Sequence, residues 1–114
     1  MTSTSVETRS AGYRRQILLV GGIGRMEPQY RALVESYGYE LLYRERRILG
    51  GTPPATLAAI LVVASVVSHP LRENAARLAE VCRVPIVYLR APSLSQVRRG
   101  IEEVRGAEEG LHAQ

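Results

Sequence analysis

His69 is the one side chain in the body of the chain suited both to ligating a metal and to moving a proton near neutral pH; the other histidine, His112, stands at the C-terminal end. The residue set sharpens the point. There is no Lys, Asp, Trp or Phe, so all 15 cationic side chains are Arg and all 11 carboxylates are Glu. Without Lys there is neither a P-loop lysine nor a Schiff base. Without Asp a phospho-aspartyl receiver is excluded, and an oxygen-rich magnesium site would rest on Glu alone. The single cysteine, Cys82, rules out a disulfide within these residues and a Cys-rich zinc site. It ends an apolar helical face and reads as a buried, structural thiol.

A second group surrounds Val20-Gly21-Gly22-Ile23-Gly24-Arg25. Gly22-Ile23-Gly24 supplies the G-x-G of a dinucleotide loop, but Glu27 takes the place of the third glycine, where a carboxylate repels a pyrophosphate. Glu45, the candidate for a ribose carboxylate, is flanked by arginines. Nicotinamide binding is therefore disfavoured. A tight strand-to-helix turn, or an anion held by backbone N–H groups, remains open for this loop.

These residues need elements to position them. Gln16 to Val20 is a short apolar run ending in glycines, as a buried parallel strand does on entering a loop. Pro28 suits the first turn of a helix whose face carries Tyr30, Leu33, Val34 and Tyr37 and which Gly38 closes. Residues 39–43 form a second strand, followed by the basic loop Arg44-Glu45-Arg46-Arg47 and an irregular Gly50 to Pro54. The β-branched run 59–66 predicts a central strand, and Pro70 starts the next helix with His69 at its N-cap. That helix turns Leu71, Ala75, Leu78, Ala79 and Cys82 inward. Residues 86–89 form a fourth strand, and Ser93-Leu94-Ser95-Gln96 is a capping-box pattern opening a last helix. Its Arg98, Arg99, Glu102 and Glu103 form a solvated face at i, i+4 spacing.

Right-handed crossovers turn this order into a four-stranded parallel sheet, ordered 2-1-3-4, with helices on both faces: an α/β domain that is half of a doubly wound fold. Residues 1–14 read as a flexible arm, 15–105 as the domain and 106–114 as a flexible tail. In such a sheet ligands dock beyond the carboxyl ends of the strands. That edge is expected to gather Gly21, Gly22, Gly24, Arg25, the Arg44 to Arg47 loop, Ser68, His69, Arg90 and Ser93, with no comparable group at the other edge.

The 46% hydrophobic content is enough for one core, and the +4 net charge is spread along the chain. The arginines have no interleaved stacking aromatics, which argues against nucleic acid. The polar N-terminus lacks a signal-peptide pattern and no apolar run spans a bilayer, so a cytoplasmic protein is expected.

Leu18-Leu19-Val20-Gly21-Gly22, Tyr37-Gly38-Tyr39-Glu40, Ile60-Leu61-Val62-Val63, Ser68-His69 and Val84-Pro85-Ile86-Val87-Tyr88-Leu89-Arg90, in this order, resemble the bacterial domain-of-unknown-function family 2325. The similarity covers residues 15 to 104. It implies a Rossmann-like three-layer fold and marks Gly21, Gly22, Ser68, His69 and Arg90 as pattern positions, while bringing no activity with it. Relatives often carry acidic residues before the third strand, where this chain has Ala58-Ala59, which speaks against a metal–carboxylate site.

Function then divides three ways. The first reading is a non-enzymatic haem protein, a gas sensor or carrier, with His69 as metal ligand and Arg25 or Arg90 near the propionates. A chain this small buries a porphyrin poorly, so this reading carries a homodimer with the ligand at or near the interface. The second is a binding module for a phosphate- or nucleotide-type small molecule, using Gly21 to Gly24, Arg25 and Arg90. The third, an enzyme with His69 as general base, is weakest, because no carboxylate or nucleophile is placed to work with it. At a helix start the positive end of the dipole favours a neutral, metal-ligating ring, although His69 could equally just cap its own helix.

Overall fold

A computed structural model describes residues 15–46 and 55–113. The expectations for residues 1–14, Arg47, the irregular Gly50 to Pro54 and the His112 side chain lie outside the described residues. Four strands, β1 (Gln16–Val20), β2 (Glu40–Arg44), β3 (Leu57–Val63) and β4 (Ile86–Leu89), form one all-parallel sheet in the order β2-β1-β3-β4. Three α-helices cover it: α1 (Glu27–Ser36), α2 (His69–Cys82) and α3 (Leu94–Ala113). This is the Rossmann-like arrangement that the apolar runs and right-handed crossovers predict.

Each face is closed by the apolar stripe of its helices. Tyr30 and Val34 of α1 and Val97, Ile101 and Val104 of α3 pack against Ile17, Leu19, Leu61 and Leu89 on one side. On the other, α2 alone buries Leu71, Ala75 and Ala79 against Leu18, Val20, Ile60 and Val62. All seven residues of β3 are buried, as a central strand requires.

Four expectations are corrected. β3 begins two residues before the expected start and stops at Val63, because the chain then turns, with the Val66 N–H donating to the Val63 carbonyl at 3.1 Å. Val66 and Val67 serve a loop, not the strand. β2 is shifted by one residue, since the Tyr39 N–H still donates to the Val34 carbonyl of α1. The segment after Gly106, expected to be a loose tail, continues α3 to Ala113 and is tied down by Glu108, which accepts from Tyr39 Oη at 2.6 Å and pairs with Arg15 at 3.1 Å. Cys82 is half-buried, although burial does push its thiol pKa up. Among the described residues, no helix is long and apolar enough to cross a membrane.

Candidate functional site

The carboxyl edge of the sheet is built around Gly21 and Gly22, whose φ values of +83° and +126° let the chain leave β1 sharply. The Gly21 N–H donates to the Arg44 carbonyl at 2.8 Å, joining the exits of β1 and β2. The loop after β3 lies directly on Gly21: a Cβ built there would stand 2.5 Å from Cγ1 of Val67. Gly22 faces the ring of Tyr30 and the hydroxyls of Tyr30 and Tyr43, and Gly24 faces the Glu45 carboxylate.

Tyr30 is the knot of this edge, although sequence reasoning saw it only as a core-facing helical residue. Fully buried, it accepts the Ile23 N–H at 3.1 Å through its hydroxyl and donates to the Pro92 carbonyl at 2.7 Å. One phenol thus ties the loop after β1 to the loop after β4. Its ring stacks on Tyr43, with centroids 5.9 Å apart. The Tyr43 hydroxyl is buried without a partner among the described residues. Burial, with Glu45 adding to it, pushes the Tyr43 pKa up to about 12.

That shift has a sign. A phenol whose pKa is higher in the folded chain than in the unfolded one holds its proton more tightly when folded. The stability it contributes is complete below the unfolded value near 10 and is lost as pH rises towards about 12. Tyr39 moves in the same direction, through burial and its hydrogen bond to Glu108. Urea unfolding at several pH values should therefore show stability falling above pH ~10, and less steeply in Tyr43→Phe. At neutral pH the same substitution should cost nothing or stabilise, because it removes an unpartnered hydroxyl.

Ser68, and not His69, is the N-cap of α2. Its backbone is extended and its Oγ accepts the Leu71 N–H at 3.2 Å, so His69 becomes the first helical residue, with Pro70 behind it. The hydroxyl reaches the third helical N–H, which an imidazole there need not do. His69 consequently projects outward with 75% of its side chain exposed, and its Nε2 meets Glu73 Oε2 at 3.0 Å. The expectation that no carboxylate accompanies His69 is thus corrected. Glu73 lies one turn on, and its i, i+4 spacing was the signal that could have found it.

Arg25 and Arg90 are exposed, and neither pairs with a carboxylate among the described residues. The Arg90 backbone is held by Gln96 Oε1 at 3.2 Å, while the Gln96 N–H takes the Ser93 Oγ at 3.3 Å, which is half of the expected capping box. Of the i, i+4 face on α3, Arg99 and Glu103 pair at 3.0 Å, whereas Glu102 accepts from Tyr37. Arg25 and Gly24 line an open groove of about 570 Å³ whose other walls include Glu27, Arg31 and Glu35. Arg31 is already paired with Glu27 at 2.6 Å.

The opposite edge is not bare, as had been expected. Arg15, Glu108 and Tyr39 gather there, beside a cavity of about 190 Å³ lined also by Ala58 and Arg83. The group forms because α3 runs on past Gly106 and carries Glu108 to this edge, where a loose tail would not hold it.

The glycine loop is poorly suited to an anion. The N–H groups of Gly21, Ile23 and Met26 already have partners within the chain, and Glu45 lies against Gly24. Among the described residues no three side chains of the metal-binding types cluster, so a metal on His69 would bring most of its own ligands. A family model described as an uncharacterized protein conserved in bacteria, DUF2325, matches residues 16–104. No curated protein and no solved structure matches the chain.

Proposed function

The chain belongs to the bacterial DUF2325 family, whose description assigns no activity, and we propose that it is a non-enzymatic ligand-binding domain that takes haem, with His69 as axial ligand, as a cytoplasmic gas sensor or carrier. The observation that carries this reading is the presentation of His69. It stands in the first turn of α2, at the sheet edge where ligands of this fold class dock, with its backbone fixed by the Ser68 cap and Pro70. Glu73 can only accept, so His69 Nε2 carries a proton, and whenever the ring is neutral it is Nδ1 that holds the lone pair for a metal. A carboxylate behind an imidazole is the common way to orient a metal-ligating histidine. A porphyrin supplies the remaining equatorial donors itself, so one protein ligand suffices.

The well-exposed large hydrophobic side chain nearest in sequence is Val66, half of it exposed on the loop before His69. Arg25 and Arg90 are available for propionates through charge-assisted contacts. An enzymatic role has less support, because the exposed His69–Glu73 pair has no nucleophile beside it: the Ser68 hydroxyl is spent on the helix cap. A phosphate- or nucleotide-type ligand is also weaker, given the occupied N–H groups and Glu45 in the glycine loop.

Titration with hemin, followed by absorption, tests the reading. The wild type should develop a shifted Soret band at one haem per chain. His69→Ala should lose it or weaken binding at least ~10-fold, and His112→Ala should keep it, since imidazole is the ligand iron prefers here. Stability should change by no more than about 0.5 kcal/mol, as for other exposed positions. Equal spectra for wild type and His69→Ala would remove haem from the account. If a nucleotide panel then bound, with Arg25→Ala weakening it more than His69→Ala, the phosphate reading would replace it.

A further inference from the structure

We infer that β4 is the site of self-association, pairing antiparallel with the β4 of a second copy to make one continuous eight-stranded sheet. The inference rests on the unequal treatment of the two sheet edges. On β2, the Glu40 N–H and the Arg44 carbonyl bond to β1 and its flanks, so the backbones of Leu41 and Tyr43 turn outward. Both outward carbonyls are covered by guanidinium groups. Arg31 donates to Leu41 O at 3.3 Å, and Arg44 folds back onto Tyr43 O at 2.8 Å. Covering an edge with cations is how sheet proteins prevent further strand addition.

The β4 edge has no such cover. The Pro85 and Leu89 carbonyls accept from Ile60 and Ala64, which turns the N–H and C=O groups of Ile86 and Tyr88 away from the sheet. Nothing among the described residues bonds to them. No charge interrupts Ile86-Val87-Tyr88-Leu89, whereas β2 begins with Glu40 and ends with Arg44. On this edge the Tyr88 side chain is itself 45% exposed.

The occupant that fits is the same strand. A two-fold axis at Val87 sets Ile86 opposite the partner's Tyr88, and Tyr88 opposite the partner's Ile86. Each is then a hydrogen-bonded pair that uses every outward group, and Val87 faces the partner's Val87 as the non-hydrogen-bonded pair. Ile86 and Tyr88 share the α2 face of the sheet, in register with Ile60 and Val62, so each tyrosine would lie on an isoleucine. An uncharged apolar edge can meet itself without repulsion. The pairing does not depend on the haem reading. It also differs from the dimer first expected with haem, which would place the ligand at the interface: here the two His69 side chains stand at opposite ends of the joined sheet, so each copy would hold its own ligand and share none.

Sedimentation velocity on the full chain from about 10 µM to 1 mM should show a monomer–dimer equilibrium, as suits a small interface. Tyr88→Lys, which changes an exposed side chain, should weaken it at least tenfold. The Val87→Cys variant in a Cys82→Ser background should oxidise to a covalent dimer, because non-hydrogen-bonded partners stand about 4.5 Å apart at Cα, within disulfide reach. Leu42→Cys, on the guarded edge, should not. A chain monomeric throughout, or a dimer that is indifferent to Tyr88→Lys and gives no Val87→Cys cross-link, overturns the inference.

Discussion

Tyr30→Phe should destabilise the domain by about 3 kcal/mol, although it removes one oxygen atom and leaves the buried ring in place. The hydroxyl is the shared partner of the Ile23 N–H and the Pro92 carbonyl, and it sits where the ring is fully buried. Without it, two backbone groups lose their partner together. Both hydrogen bonds are part-buried, so each lost partner is placed at about 1.5 kcal/mol, the lower part of the roughly 1–3 kcal/mol for an unsatisfied polar group, and two of them set the figure. In a domain of this size that is a fall in melting temperature on the order of 10–20 °C. Tyr37→Phe is the matching control. Its hydroxyl donates to Glu102 at 2.8 Å on the surface, where water replaces what is lost. It should cost no more than about 1 kcal/mol. Equal effects of the two substitutions, by thermal or urea melts, would mean that Tyr30 does not join the loops after β1 and β4.

This contrast also marks what could be read from the residues alone. The strand order followed from apolar runs punctuated by glycine and proline, and β1 and β4 began and ended where those runs did. Periodicity placed Tyr30 on the inner face of α1 for the same reason. It could not tell which atoms the hydroxyl would meet, because those belong to loops brought together only by the folded sheet. The same holds for Arg31, which the sequence does not single out, and for Arg44, which reads as part of a basic loop at the ligand edge; in the structure both cover edge carbonyls. Ser68 and His69 failed to separate for a different reason. Both can cap, and only the reach of the serine hydroxyl to Leu71 decides between them. β-Branching predicts strand as far as Val66 because propensity ignores the turn that seats Val66 and Val67 over Gly21.

That seat gives the second large effect. Gly21→Ala should cost about 3 kcal/mol, from two sources that can be measured apart. The backbone at φ +83° lies where a side chain is strained by roughly 1–2 kcal/mol. In addition, the new methyl would stand 2.5 Å from Cγ1 of Val67 and 3.2 Å from Cγ2 of Val66. Relieving that overlap means moving the loop between β3 and α2, and overpacking of this kind costs about 1–3 kcal/mol. Gly38→Ala isolates the first source, because Gly38 has φ +89° and open space where the methyl would go. Gly106→Ala has neither penalty and lies inside α3, so it should stabilise by up to about 1 kcal/mol. Urea melts should therefore rank the variants Gly106→Ala above wild type, then Gly38→Ala, then Gly21→Ala. The gap between the last two measures how firmly the Val66–Val67 loop rests on the glycine. Because that loop leads directly into Ser68 and His69, Gly21→Ala should also weaken any ligand that depends on His69, without altering a residue that touches it. If Gly21→Ala and Gly38→Ala prove equal in cost, the loop yields freely, and the glycine does not set the position of His69.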